Sequence, residues 1–326
     1  MSAPSDERAV VSDDVVMVVP DGRLVFGIQL PTVALSTMVA APWERENGAG
    51  VAELVQAAQA ADRAGFFYVA VCDHVAIPRQ LAPAMSTTWY EPISTLGFLA
   101  GQTAQTRLMT NVFVGPYRHP LQTAKAFATL DTLSGGRTIL GMGAGHVEKE
   151  FDALGLPFAE RGRMLDDAVD GVKSAWNDEF VGSGDDAVGM RPRPVQRPRP
   201  PIWIGGSSRP ALRRVAERGD GWIPQGTPRR KMPESIAYLR EHRDRVRPGA
   251  EPEIGVITEA MYVGEPGWET ARGTITGPPE KLAESMNEYG AMGVSHLQVR
   301  FQSRSIDELC DQIERFGAEV GPHLTR

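Results

Sequence analysis

Cysteine is nearly missing from this 326-residue chain: Cys72 and Cys310 are too few and too far apart for a disulfide framework. Cys72 closes an apolar run, so a buried free thiol is expected there. Long hydrophobic runs are missing too. No stretch approaches the roughly 20 apolar residues of a membrane span. Val15 to Val19 is too short for a secretory signal and follows an acidic start (Asp6, Glu7, Asp13, Asp14), so cytoplasm is the expected compartment. An excess of positive charge is the third absence. A net charge of −7 argues against nucleic acid or an anionic membrane as partner. Metal-ligand patterns are absent as well. The first strand ends Gln29-Leu30-Pro31-Thr32, no His pair recurs at i, i+2 or i+4, and no metal site is expected.

What is present is an alternation of strand and helix patterns in a chain that is 42% hydrophobic, ordinary for one globular domain with a substantial core. Residues 1–22 precede the pattern and read as a tail, leaving 23–326 as the catalytic domain. Leu24–Leu30 reads as a first strand. Val51, Leu54, Val55, Ala58 and Ala61 then fall at helical spacing over 50–64, and Gly65 stops that helix. Phe67–Cys72 is apolar without alternation, as in a strand covered on both faces. A loop (73–90), a helix (91–104), a strand (107–114) and a helix (120–133) follow. Residues 179–200, rich in Gly, Asp, Pro and Arg, read as an excursion before a fifth strand. Arg191, Arg193, Arg197 and Arg199 alternate with prolines there, as in a solvated extended connector, though they could also attract an acidic cofactor tail. Strands near 202–205, 220–223, 255–263 and 294–301 complete eight. Helices are expected near 208–218, 230–246, 278–289 and 304–319.

The most informative segment is Ser134–Val169. Gly135-Gly136 turns into the apolar run Thr138-Ile139-Leu140, which ends in Gly141, Gly143 and Gly145. Glycines after a buried strand let backbone approach something flat or phosphorylated. A helix follows near Arg161, with Met164, Leu165, Ala168, Val169 and Val172 on one face. A strand, a glycine-rich mouth and a helix make one unit of a parallel α/β fold, whose ligands sit at the strand ends. A dinucleotide fingerprint is excluded, because the sixth position of GMGAGH is His146 rather than glycine.

This segment resembles the luciferase-like family of flavin- and deazaflavin-dependent oxidoreductases. So do GFFYVAVCDH (65–74), RLMTNVFVGPYRHP (107–120), AKAFATLDTLSGGRTILGMGAG (124–145), PIWIGGSSRPALRRVAERGDGWIP (201–224) and TGPPEKLAE (276–284). Their order covers nearly the whole chain beyond the first two dozen residues. The resemblance implies a (β/α)8 TIM barrel, a homodimer, and a cofactor ring lying against the mouth at Ala144 and Gly145. It also implies that Asp73-His74 touches that ring and the reacting centre, and that a non-proline cis peptide with a bulge at Asn111-Val112 buttresses the ring from behind.

Read from the residues alone, Asp73-His74 is an acid–base pair at a strand end, or a loop cap beside an exposed histidine. His146 stands where sugar-phosphate dehydrogenases of the family place Glu and many monooxygenase-like relatives Trp; it is either an acid–base group or a surface histidine at a helix start. Gly205-Gly206-Ser207-Ser208 opens a helix with Pro210 in its first turn, either a cofactor-phosphate site or an ordinary serine cap. His119 is expected as a cap, with Arg118 free to meet a phosphate or a neighbouring subunit.

The resemblance implies an oxidoreductase using the 5-deazaflavin coenzyme F420 to pass a hydride to or from a small organic substrate. Catalysis would fall to His74, Asp73 and His146. Two alternatives stay open: an FMN-dependent monooxygenase on the same barrel, and a barrel that binds a flavin or lipid-like ligand without turnover. The absence of the Trp that often follows Asp-His, and of Glu at 146, argues against a sugar-phosphate dehydrogenase.

Overall fold

The computed structural model describes residues 16–20, 22–37, 40–46 and 49–326. Most of the expected tail (1–15 and 21) therefore lies outside the described residues.

Eight parallel strands close into a barrel: β1 (Val25–Gln29), β2 (Tyr68–Val71), β3 (Arg107–Thr110), β4 (Thr138–Gly143), β5 (Ile202–Gly205), β6 (Gly221–Ile223), β7 (Glu253–Val263) and β8 (His296–Phe301). Closure is made by β8, whose His296 stands opposite both Val25 of β1 and Gly255 of β7. A helix follows each strand: α1 (Val51–Arg63), α2 (Pro92–Ala100), α3 (Pro120–Ser134), α4 (Arg161–Asn177), α5 (Arg209–Arg218), α6 (Met232–Val246), α7 (Pro279–Ala291) and α8 (Ile306–Arg315). Gly65, just past α1, takes φ 74°, the left-handed conformation that ends a helix at low cost. The strands are buried throughout β2, β4, β5 and β6, because helices cover the outside and side chains fill the inside.

Two cores result. The larger lies between sheet and helices; the smaller fills the barrel with Tyr68, Ala70, Met109, Ile139, Trp203 and Ile223. The smaller core also contains Val19, from the stretch that reads as tail in the sequence. Val16 and Val19 are buried at the barrel floor, where Val16 N–H donates to Asp220 (3.1 Å) and Val18 N–H to Glu253 (2.7 Å). Trp203 Nε1 donates to the same Glu253 carboxylate at 2.8 Å. Packed chain thus begins by Val16, well before residue 23.

The excursion before β5 carries a two-stranded antiparallel hairpin, Phe180–Val181 with Val188–Gly189. One of its four arginines is not solvated. Arg199 is buried in a two-pronged ion pair with Asp220, and Arg193 donates to the carbonyls of Trp176 and Asn177 at the end of α4. The expected third strand is interrupted at 111–112, and Phe113–Val114 pairs separately with β4. A short helix, Glu148–Leu154, and a short strand, Ile275–Gly277, were absent from the expected pattern. Cys72 is half-buried rather than buried, a free thiol 3.7 Å from Gln29 Nε2, and burial raises its pKa to about 12.

Candidate active site

The mouth at the carboxyl ends of the strands is shaped by the interruption of β3. Asn111-Val112 is a cis peptide, as the resemblance implied. The glycines of β4 and β5 make room for it. A Cβ on Gly143 would lie 2.5 Å from Val112, one on Gly205 2.6 Å from it, and one on Gly141 1.9 Å from the Thr110 carbonyl. The side-chain space at Gly141, Gly143 and Gly205 is thus taken by the bulge, and half-buried Val112 is left as the apolar face beside the mouth. Gly145 is similar. At φ 77°, its side-chain direction is filled by Phe151 and Val114, both 2.9 Å from a built Cβ, while Ala144 is half-buried against the outer core. The Asn111 amide donates to Gln298 of β8 (2.6 Å) and accepts from Gln225, beyond β6 (2.9 Å). An amide chain therefore crosses the barrel mouth beneath the bulge.

Asp73 and His74 lie together at the end of β2 but do different work. The Asp73 side chain is fully buried; Arg118 Nη1 and Nη2 bind it at 2.6 and 3.0 Å, and Val114 N–H donates to it at 2.9 Å. Such a forked pair fixes orientation. Asp73 thus ties β2 to the bulged strand, and its expected contact with a ring or substrate is not supported. Arg118, expected to be free for a phosphate or another subunit, is spent on Asp73 and Glu91. His119 caps α3 as expected, its ring accepting from Leu121 N–H at 3.2 Å.

His74 is held instead by Glu150, a residue the sequence reading did not single out. Glu150 sits on the short helix Glu148–Leu154 with its side chain wholly buried. One oxygen lies 2.8 Å from His74 Nδ1 and 2.9 Å from the Tyr117 hydroxyl; the other accepts from the backbone N–H of Val75 and of Ala76. Burial pushes the Glu150 pKa up, but the bonds from His74, Ala76 and Val75 outweigh it and hold the carboxyl below its ordinary range. Burial and Glu150 push the Tyr117 phenol up, so it donates as a neutral hydroxyl. An ionised carboxylate only accepts. His74 Nδ1 therefore carries the proton, which leaves Nε2 as the ring nitrogen outside this pair.

Two rings flank His74. Trp89 meets it edge-on at 4.3 Å, brought back by the 73–90 loop, so a tryptophan that the sequence lacks beside the Asp-His pair arrives from fifteen residues on. His146 lies 5.6 Å away, and its pKa is lowered by partial burial and then by His74. The structure thus brings the rings of His74 and His146 together, while the Asp73 side chain is taken by Arg118 and Val114 N–H.

Across the barrel, Gly206-Ser207-Ser208 opens α5. Gly206 takes φ 107°, and a Cβ there would press on Ala211 at 3.1 Å. Ser208 caps the helix by accepting from Ala211 N–H. The Ser207 hydroxyl is already engaged: it donates to Gln225 O (2.7 Å) and receives Gln225 N–H and the Thr227 hydroxyl. The anion-attracting feature left at this turn is backbone N–H at a helix start; Arg230 and Lys231 are exposed on the short turn Arg229–Lys231 that precedes α6. These fit a phosphate, and the apolar face of Val112 fits a flat ring. No group of His, Cys, Asp and Glu among the described residues could hold a metal ion, and no described helix is long and apolar enough to cross a membrane.

Comparison with known proteins gives one family. Residues 26–272 match the family model of the luciferase-like monooxygenases. The FMNH2-dependent dimethylsulfone monooxygenase of Pseudomonas putida is 32% identical over 173 residues, 51% of this chain and 46% of that protein. Monooxygenase RslO1 from Streptomyces bottropensis superposes with a TM-score of 0.75 at 23% identity, covering 92% of this chain and 99% of that one. The coenzyme F420-dependent tetrahydromethanopterin reductase from Methanopyrus kandleri does so with a TM-score of 0.70 at 20% identity, covering 93% and 99%. These two structures bear out the barrel fold.

Proposed function

Since the chain belongs to the luciferase-like monooxygenase family of oxidoreductases, we propose that it is an F420-dependent oxidoreductase, passing a hydride between the deazaflavin C5 and a small organic substrate. The observation that carries this reading is His74 at the end of β2, its Nδ1 held 2.8 Å from the buried Glu150 carboxylate and its ring beside that of His146. The cofactor, when bound, supplies the redox chemistry. This chain's own residues supply the rest. Val112 offers a face for the ring, the Gly206–Arg209 turn offers N–H groups to a phosphate, and Arg230 and Lys231 offer charge to an acidic cofactor tail. His74 Nε2 accepts or delivers a substrate proton while Glu150 stabilises the charge that forms on the imidazole. His146, exposed and with its ring 5.6 Å from that of His74, adds a second group that can exchange a proton.

A second reading, an FMN-dependent monooxygenase, is favoured by the 32% identity to the dimethylsulfone monooxygenase. Fluorescence titration separates the two. Tighter binding of the deazaflavin and slow reaction with oxygen support the first. FMN bound at least about tenfold more tightly, with rapid oxygen consumption, replaces it with the second. Binding without turnover leaves a ligand-binding barrel.

A further inference from the structure

The mouth has three sectors. The phosphate turn stands at β5 and β6, and the histidines at β2 and β4. Between β7, β8 and β1 opens a cleft of about 980 Å³ that the chemistry above leaves unused. Its walls are apolar at Leu30, Ala34, Trp43 and Phe301, and amide-bearing at Gln29 and Gln298.

One charge dominates the inner wall. Along β8, His296 and Gln298 are buried and face the barrel interior, while Leu297 and Val299 face the helices. Alternation places Arg300 on the inward face, one step above Gln298, at the lip of the mouth. Arg300 is exposed and lines the cleft. Its Nε donates to the Thr258 carbonyl at 3.1 Å, which orients the guanidinium. Neither terminal nitrogen forms an ion pair with a described carboxylate.

The other charged groups that line the cleft are Arg304, Glu44, Glu259, Arg272, Glu269 and Glu46. Arg304 is paired with Glu308 at 2.9 Å. Glu44 accepts from the backbone of Thr32 and Ala41, and Glu259 from the Tyr289 hydroxyl. Arg272 stands on the loop after β7 with Glu269, and Glu46 on the segment after β1. Arg300 is therefore a cation of the cleft carried on a strand rather than on a loop, without an ion pair among the described residues, and beside the Gln298–Asn111 amide pair that underlies the bulge.

We propose that this cleft binds the substrate as a small organic acid, its carboxylate on the two free guanidinium nitrogens of Arg300 and its apolar body against Trp43 and Leu30. A planar carboxylate matches the fork of an oriented guanidinium, and a charge-assisted pair of this kind discriminates strongly against a neutral isostere. The assignment of this acid as substrate rests on the reading of the mouth as a cofactor-bearing active site.

The test uses the full chain with two matched probes, phenylacetate and phenylacetamide, titrated by calorimetry into the wild type and Arg300→Gln. Phenylacetate should bind the wild type at least about tenfold more tightly than the amide. Arg300→Gln should erase that preference by weakening phenylacetate alone, and Arg300→Lys should restore part of it. Thermal melting and the affinities for deazaflavin and FMN should not change in Arg300→Gln. Equal binding of the two probes to the wild type, failure of both to bind, or retained phenylacetate affinity in Arg300→Gln overturns the proposal. Failure of the cofactor reading looks different: neither cofactor binds, while the preference for phenylacetate and its loss in Arg300→Gln persist.

Discussion

His296 allows a prediction whose size follows from the structure. Its ring lies inside the barrel, stacked on Trp203 at 4.0 Å and edge-on to Tyr68 at 6.0 Å. Neither ring nitrogen has a hydrogen-bond partner among the described residues. Burial, with a smaller push from Arg326, lowers its pKa from 6.5 to about 3. The folded state therefore keeps this residue neutral where the unfolded chain would protonate it. Stability from this source is complete above the unfolded pKa and is lost as pH falls from 6.5 toward 3. At pH 5, roughly 1.5 units below the unfolded value, the loss is about 2 kcal/mol, at about 1.4 kcal/mol per unit. His296→Phe keeps the aromatic stack and removes the titration. The larger ring will overpack against Gly255, which already touches His296. That cost is the same at both pH values and cancels in the comparison. Urea unfolding at about pH 8 and pH 5, followed by far-UV and near-UV dichroism together, should show the wild type losing about 2 kcal/mol more than the variant between the two. Losses equal to within about 0.5 kcal/mol would refute the reasoning and mean that the His296 nitrogens are satisfied in the folded protein.

His74→Ala should lower turnover roughly 10²-fold or more with little change in the dichroism spectrum; a fully active variant would return His74 to a surface role. Glu150→Gln keeps shape but not charge, so turnover should fall about tenfold with unchanged cofactor affinity, and an unaltered rate would mean that Glu150 only packs. Gly206→Val should weaken cofactor binding and barely affect the rate at saturation, since phosphate anchoring is the same in ground and transition states; unchanged affinity would place the phosphate elsewhere. Gly141→Ala should cost about 1–3 kcal/mol of stability by driving a methyl into the Thr110 carbonyl, and a wild-type urea midpoint would show that β3 moves aside freely.

The barrel was legible because its signals are local. An amphipathic stripe over 50–64, the stop at Gly65 and the apolar runs at 67–72 and 138–140 each depend on near neighbours, and each lies within a few residues of its expected place. The site was less legible because its partnerships are long-range. Glu150 meets His74 across 76 residues and Tyr117 across 33. On a short helix with Glu148 and Lys149 beside it, Glu150 reads as one more surface charge. Adjacency suggested that Asp73 orients its neighbour, but successive side chains at a strand end diverge, sending Asp73 to Arg118 and His74 to Glu150. Val16 to Val19 reads as tail for the same reason: Asp220 and Glu253 receive its backbone from 204 and 235 residues away.

The glycine-rich mouth shows how a sequence signal can be correct in place and indirect in cause. Gly141, Gly143 and Gly205 line up on neighbouring strands because Thr110 and Val112 press into them, so their small size serves the bulge first. The bulge in turn presents Val112 to the mouth and places the Asn111 amide between Gln298 and Gln225. Gln225 holds Ser207 at the start of α5. The bulge, the inner cleft and the turn before α5 are therefore linked by one chain of hydrogen bonds through Gln298, Asn111, Gln225 and Ser207. Side chains added at Gly143 or Gly205 should then act on all three at once, whereas Gly206, outside the bulge and beside Ala211, should act on the phosphate turn alone.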